Sequence, residues 1–347
     1  MPRTGRGHLM PARSPRHGAV YVQSLAEDLL AQGFSEAEVF RDFPFGPEIL
    51  GERNPVAEFS DIAAFFEHAA ELTDDDTLGF RRGEVREMRR IGLLCYVGIS
   101  SPTVMDFIKN IARYRRVFTD ALEIDVQHLE DRGELRWSFA VPSTVGRRQY
   151  VEFGASGIVA AIRQATQTRI EPLNARFRHA RNTDVAMVES FLGCPVQFGT
   201  EVNAFQFAAG DLSLPLSTSD DHLFDMLQGY AEDALQRSAP ATSSLVVRVE
   251  REIADRLASG EAVQDIVSRA MGMSARTLSR RLAEEDTTFF SILDNLRHSL
   301  AITYLSNPDL RLREIAFLLG YSSLAAFHDA FRRWTGTSPG KFRDRET

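Results

Sequence analysis

The sequence is poor in cysteine: Cys95 and Cys194 stand alone among 347 residues. That excludes a disulfide framework or a cysteine-ligated zinc site, and it suits a reducing cytoplasm. Neither thiol has an adjacent His or Arg to lower its pKa, so both read as small apolar core residues. Long apolar runs are missing too. The longest uncharged stretch, Ile91 to Met105, is fifteen residues and is interrupted by Gly98, Ser100, Ser101 and Pro102, too short and too polar for a membrane span. The first nineteen residues hold four arginines without the apolar segment of a secretory signal, and residues 1–20 read as a flexible basic tail. No Gly-rich phosphate loop, H-E-x-x-H, nucleophile elbow or Cys/His cluster at metal spacing is present. What remains is a soluble, non-enzymatic chain with no expected cofactor, metal or membrane partner.

What the sequence does have is a division of charge. The net charge of −8 argues against a chain that coats nucleic acid. Residues 243–347, however, carry fifteen basic against fourteen acidic side chains, whereas residues 1–242 carry twenty-five against thirty-four. Within the C-terminal part, Arg269 to Arg281 holds four arginines and no acid, and Arg332 to Arg345 holds five basic residues against Asp344. Those clusters are candidate phosphate contacts. A chain of this length with 44% hydrophobic residues supports two cores.

The segment R-S-A-P-A-T-S-S at 237–244 lacks any apolar period and reads as a linker. Before it, residues 21–236 alternate between two periodicities. Helical spacing predicts helices over Val22–Gln32, Val56–Leu72, Val104–Phe118, Tyr150–Ala165, Thr183–Leu192 and Asp221–Gln236. Alternation in 122–127 and 135–141 around Asp131-Arg132-Gly133 predicts a hairpin, with further strands near 175–179, 195–198 and 202–207. This is an α+β domain with a mixed sheet. Its dense basic stretch, Arg81, Arg82, Arg86, Arg89 and Arg90, reads as a solvated helix face, with an acidic effector held there or at Arg147-Arg148 as the alternative.

Residues 245–347 read as all helical. Val249, Ile253 and Leu257 mark a first helix, and Val263, Ile266, Val267 and Ala270 a second. After the turn Met271-Gly272-Met273, Ser274 is placed to cap a third, whose inward residues are Leu278 and Leu282. A connector follows with Phe289, Leu293, Leu296 and Leu300 on one stripe; its seventeen or so residues would span about 25 Å. The pattern then repeats. Leu312, Ile315, Ala316 and Leu319 form a short helix, Gly320-Tyr321 a turn, Ser322 or Ser323 a cap, and Phe327, Ala330, Phe331 and Trp334 a buried stripe. Two helix-turn-helix units in tandem point to duplex DNA.

A recognition helix turns small or polar groups to base edges. At 100° per residue, Arg276, Ser279, Arg280 and Ala283 lie opposite Leu278 and Leu282, whereas Ala325, His328, Asp329, Arg332 and Arg333 lie away from the second stripe. Arg276 and Arg280 carry guanidinium forks suited to guanine. Leu324, Ala325 and Asp329 offer the second helix little beyond a thymine methyl or a cytosine amino group, so the first unit is expected to supply more hydrogen-bonded readout. Arg332 and Arg333 are expected on phosphates.

From Val263 to Arg343 the chain resembles the DNA-binding domain of AraC/XylS-family bacterial transcription regulators. The residues that carry this are L-R-x-x-x-A-x-x-Y-L at 296–305, E-I-A-F-L-L-G-Y-S at 314–322, and F-x-x-A-F-R-R-W-T-G-T-S-P-x-x-F-R from Phe327. The resemblance implies seven helices, the third and sixth entering successive major grooves, with base contacts at Arg276, Ser279 and Arg280 and at Leu324, Ala325, His328 and Asp329. G-F-S-E-A-E-V-F near Gly33, S-S-P-T at Ser100 and F-L-G-C-P-V-x-F near Phe191 resemble the effector domain of a subset of that family. They imply a small-molecule effector and a homodimer; RNA polymerase is a further expected partner of such a regulator. DNA-repair alkyltransferases share this helical domain type but need a reactive cysteine, which neither thiol's setting provides. A constitutive DNA binder whose front domain only dimerises is the remaining alternative.

Overall fold

The computed structural model describes residues 15–237, 245–305 and 310–346, which form two compact units, one of residues 15–141 and 145–237 and the other of residues 245–346 with 142–144. The linker expected at 237–244 lies outside the described residues from 238 on, as do residues 1–14 of the expected tail.

Residues 15–20 are not part of a tail. Strand β1 (Arg16–Gly18) pairs antiparallel with β2 (Val56–Glu58), and α1 (Val20–Ala31) follows directly. The cause is His17, which is buried among Phe59, Phe118 and Tyr150; a three-residue strand has no period to reveal this. A single-turn α2 (Glu36–Val39), then α3 (Phe59–Thr73), α4 (Leu78–Glu84), α5 (Leu93–Ile99) and α6 (Val104–Tyr114) precede the main sheet. The helix expected from Val56 thus begins three residues later. Helix α5 has no counterpart in the sequence reading, because L-L-C-Y-V-G-I is apolar throughout, and the seven-residue α4 has one only in the helix face read at Arg81 and Arg82. Both glycines of α4 are placed by contact. A Cβ at Gly79 would lie 2.1 Å from the Gln149 carbonyl oxygen, and one at Gly83 2.2 Å from that of Phe153.

The hairpin β3 (Leu122–Asp125) and β4 (Glu134–Phe139) is joined by a single-turn α7 (Leu129–Arg132) and the left-handed Gly133. After α8 (Arg148–Thr166) come β5 (Asn174–Arg176), α9 (Val185–Leu192), β6 (Val196–Gln197) and β7 (Asn203–Gln206). The sheet order is β3-β4-β7-β5-β6, antiparallel except for β5 with β6, which is the mixed sheet expected. Its inner face aligns Leu122 with Phe139, Ile124 with Trp137 and Leu135 with Phe205, the side-chain alternation of a sheet with one covered face. The single-turn α10 (Ala209–Leu212) and α11 (Asp221–Arg237) end this unit.

The C-terminal unit has seven helices among the described residues: α12 (Leu245–Ala254), α13 (Gln264–Ala270), α14 (Ala275–Ala283), α15 (Phe289–Leu305), α16 (Leu312–Leu318), α17 (Leu324–Thr335) and α18 (Pro339–Glu346). Its core is its own, built on Ile253, Leu257, Val267, Leu278, Leu282, Leu296, Leu319, Phe327 and Phe331. One part of the apolar pattern misleads: Val263 and Ile266, expected inward, are 48% and 38% exposed, and Ser268 shares the buried face with Val267 instead.

Candidate DNA interface and effector cavity

Each helix-turn-helix is set by a glycine turn and a serine cap. Gly272 and Gly320 adopt φ of 68° and 69°, a left-handed conformation that L side chains resist. Ser274 Oγ accepts from the Thr277 amide at 3.1 Å, and Ser323 Oγ, the later of the two candidate caps, accepts from the Ala326 amide at 3.2 Å. Each cap supplies a partner for an otherwise orphaned N–H at the start of its recognition helix.

On α14, Leu278 and Leu282 are fully buried while Arg276, Ser279 and Arg280 are exposed. Arg276 and Arg280 make no ion pair or hydrogen bond among the described residues, so their N–H donors are available. Ser279 differs. Its Oγ accepts from Gln264 Nε2 at 2.5 Å, and the same amide reaches the Ala275 carbonyl at 3.1 Å, tying α13 to α14. Gln264 therefore belongs to the face as a positioning residue, and only the folded geometry reveals it.

On α17, Leu324, Ala325 and Asp329 are exposed, and His328 is half-buried with its Nε2 enclosed and unpartnered. Arg332 is exposed and unpaired among the described residues. Arg333, grouped with it from the sequence, is committed elsewhere: its Nη2 is 2.7 Å from Asp294 Oδ1, while Trp334 Nε1 donates to Asp294 Oδ2 at 2.8 Å. Asp294 thus fastens α17 to the connector α15. Arg297, three residues on, donates to the Leu319 and Gly320 carbonyls at 2.9 and 3.1 Å and lies 4.4 Å from the centre of the Tyr321 ring. It closes the C-terminal end of α16, where carbonyls lack helical partners. The sequence shows Asp294 only as a polar position on an amphipathic helix and Arg297 only as a motif residue without a partner.

The N-terminal unit holds a cavity of about 130 Å³ between the inner face of the sheet and helices α1, α6 and α8. Its walls are mostly aliphatic and aromatic, including Ile108, Ile111, Ile124, Leu135, Trp137 and Phe205. His17 and Tyr150, at its edge, bond to each other at 2.6 Å, and His17 Nδ1 lies 2.8 Å from the Gly18 carbonyl. Burial, reinforced by the positive charge of Arg86, lowers the His17 pKa to about 4 against the opposing pull of that carbonyl. The ring is neutral: Nδ1 donates to Gly18 and Nε2 accepts from the Tyr150 hydroxyl. Cys95 and Cys194 are buried, and burial pushes both thiols up to about 11, so neither is a thiolate nucleophile at neutral pH. Among the described residues no cluster of three metal-ligating side chains occurs, and no helix is long and apolar enough to cross a membrane.

Two helix-turn-helix units fastened to one connector helix, in a chain that also carries an α+β domain with an internal cavity, define a regulator that joins a DNA-binding domain to an effector-binding one. Residues 33–216 match the family described as the arabinose-binding domain of AraC transcription regulator, N-terminal, and residues 267–345 match a helix-turn-helix domain. The chain belongs to the AraC family of transcription regulators. It is similar to HTH-type transcriptional regulator VirS of Mycobacterium tuberculosis, at 27% identity over 91% of this chain and 93% of the relative. It is also similar to the ornithine utilization regulator of Pseudomonas aeruginosa, at 26% identity over 93% of this chain and 95% of that protein. The crystal structure of transcriptional regulator CdpR from Pseudomonas aeruginosa matches with a TM-score of 0.44 and 22% identity over 94% of this chain and 98% of that one. These domains and relatives are transcription regulators and not enzymes.

Proposed function

We propose that this regulator is a cytoplasmic homodimer that reads a specific operator mainly through α14, under the control of a small molecule held in the N-terminal cavity. The observation that carries the base-reading part is the pair Arg276 and Arg280, exposed, unpaired and one helical turn apart on the face opposite buried Leu278 and Leu282. Each guanidinium fork matches the O6/N7 edge of a guanine. In the second unit Leu324, Ala325, His328 and Asp329 make the lesser contribution, with Arg332 on a phosphate. Control by an effector, as opposed to a front domain that only dimerises, is supported by the presence of the cavity.

Self-association is supported by Leu223, Met226 and Tyr230, which recur at i, i+3 and i+7 on α11 and are 39%, 51% and 62% exposed. RNA polymerase is the further partner such a regulator would engage at a promoter. The test is a gel-shift of the full chain with genomic fragments upstream of its own gene and the neighbouring genes. At least one fragment should outcompete random duplex by a large factor. If none does, the operator-reading function is wrong.

A further inference from the structure

Most polar groups of the N-terminal cavity are engaged with the protein, and Arg86 is the cation among them that is not. His17 and Tyr150 satisfy each other, Thr119 Oγ1 accepts from the Ala121 amide, and Arg115 gives Nε and Nη1 to the Leu122 and Ala112 carbonyls. Arg86 gives nothing. It has no ion pair or hydrogen bond among the described residues, and its Nε is buried without a partner. No Asp or Glu lines the cavity. Of the other arginines in that stretch, Arg81 pairs with Asp75, Arg82 with Asp28 at 2.5 Å, and Arg90 with Glu87 and Glu27 at 3.4 and 3.8 Å, while Arg89 is exposed and does not line the cavity.

Arg86 is also held in place. Its guanidinium carbon lies 5.2 Å from the Phe153 ring centre and 5.6 Å from that of Tyr21. A Cβ at Gly157 of α8 would lie 2.1 Å from its Nε, so the side chain reaches the cavity across helix backbone that only glycine leaves open. The rings stabilise the charge through their faces but accept none of its five N–H bonds. A guanidinium kept unpaired beside an apolar cavity has its donors set for an incoming anion, and its fork matches a carboxylate.

We propose that the cavity takes a small apolar monocarboxylate, its carboxylate on Arg86 and its hydrocarbon body against Trp137, Leu135 and Ile108. This rests on the reading of the N-terminal unit as the effector domain. A sugar fits poorly, since most of its hydroxyls would meet hydrocarbon and lose their hydrogen bonds to water. A second carboxylate would find only Arg115, whose guanidinium is already tied to two backbone carbonyls. The volume suits a body of about the size of benzene, which an engineered cavity of roughly 150 Å³ accepts.

The test is calorimetric titration of the full chain with benzoate, phenylacetate and hexanoate, with the amide of each, with phenyl phosphate and with L-arabinose. At least one acid should bind saturably and at least tenfold more tightly than its amide. Arg86→Gln should reduce that acid to the level of its amide. Gly154→Leu should abolish both, because Gly154 lines the cavity with open space beyond it. The proposal is overturned if no acid outbinds its amide, if Arg86→Gln leaves the affinity of the acid unchanged, or if phenyl phosphate or L-arabinose binds best. Should Arg86→Gln not fold, the contrast of acid with amide on the unsubstituted protein decides alone. Operator affinity measured with each compound separates the two readings. An acid that binds through Arg86 without changing DNA affinity removes effector control and keeps the ligand class, whereas arabinose that alters DNA affinity while no acid does has the opposite meaning.

Discussion

Single side chains carry the distinction between reading bases and gripping the backbone. Arg276 and Arg280 are exposed and unpaired, so replacing either with Ala should leave folding nearly intact, as surface changes usually do. Each replacement should cost about 1–3 kcal/mol on the operator and relax preference at one base pair. Arg332→Ala should instead weaken all duplexes alike and reduce the slope of log K against log[salt] by about one. Arg333, read from the sequence as its equivalent, is paired with Asp294; its replacement should cost at most about 1 kcal/mol of stability, the range for an exposed ion pair. Affinities for operator and random DNA at several salt concentrations, with thermal melts, separate the three behaviours.

His17 predicts a pH dependence. Burial holds its folded pKa at about 4 against 6.5 for the free group, so the unfolded chain binds the extra proton between those values. Stability is fully present above pH 6.5 and falls as the pH drops toward 4, by about 3 kcal/mol from this group. Whatever His17→Phe costs in urea unfolding at pH 7 should therefore shrink by about that amount at pH 4. A cost that is equal at both pH values would show that the ring is not held neutral by burial.

At the scale of elements, the two turns look alike in sequence but are unequal in space. Both glycines have positive φ, yet a Cβ at Gly272 would meet nothing within 4 Å, whereas one at Gly320 would lie 2.4 Å from the Leu257 carbonyl oxygen. Gly272→Ala should cost about 1–2 kcal/mol, the left-handed penalty alone. Gly320→Ala should cost distinctly more, because backbone must move. Equal losses in chemical denaturation would contradict this packing. Replacing Ser274 or Ser323 with Ala should each cost about 1 kcal/mol through loss of a cap.

The sequence showed the repeated glycine turn, the serine caps and the buried stripes because these are local patterns with helical period. It did not show α5 or the short β1–β2 pair, and it showed α4 only as the basic face at Arg81 and Arg82. Helix α5 is apolar on all sides, α4 is placed by glycine contacts with α8, and β1 is held by the burial of one histidine. The same limit applies to the interface. The outward arginines of α14 follow from helix geometry, whereas the roles of Gln264, Asp294 and Arg297 depend on contacts between helices that no spacing encodes.

For the whole molecule, the separate hydrophobic core of the C-terminal unit predicts that residues 243–347 fold and bind the operator specifically without the first 242. The exposed stripe on α11 predicts that Met226→Glu together with Tyr230→Glu lowers the mass of the full chain in sedimentation from dimer to monomer, with an unchanged circular dichroism spectrum. A monomeric parent would remove the dimer. The central claim, that this regulator reads DNA through the arginines of α14, is tested most directly by one competition experiment. The full chain and its Arg276→Ala variant are each bound to the best upstream fragment and challenged with random duplex at physiological salt. The account predicts a strong preference for the fragment in the parent, reduced by about tenfold or more in the variant. A parent without preference, or a folded variant that keeps all of it, would contradict the account.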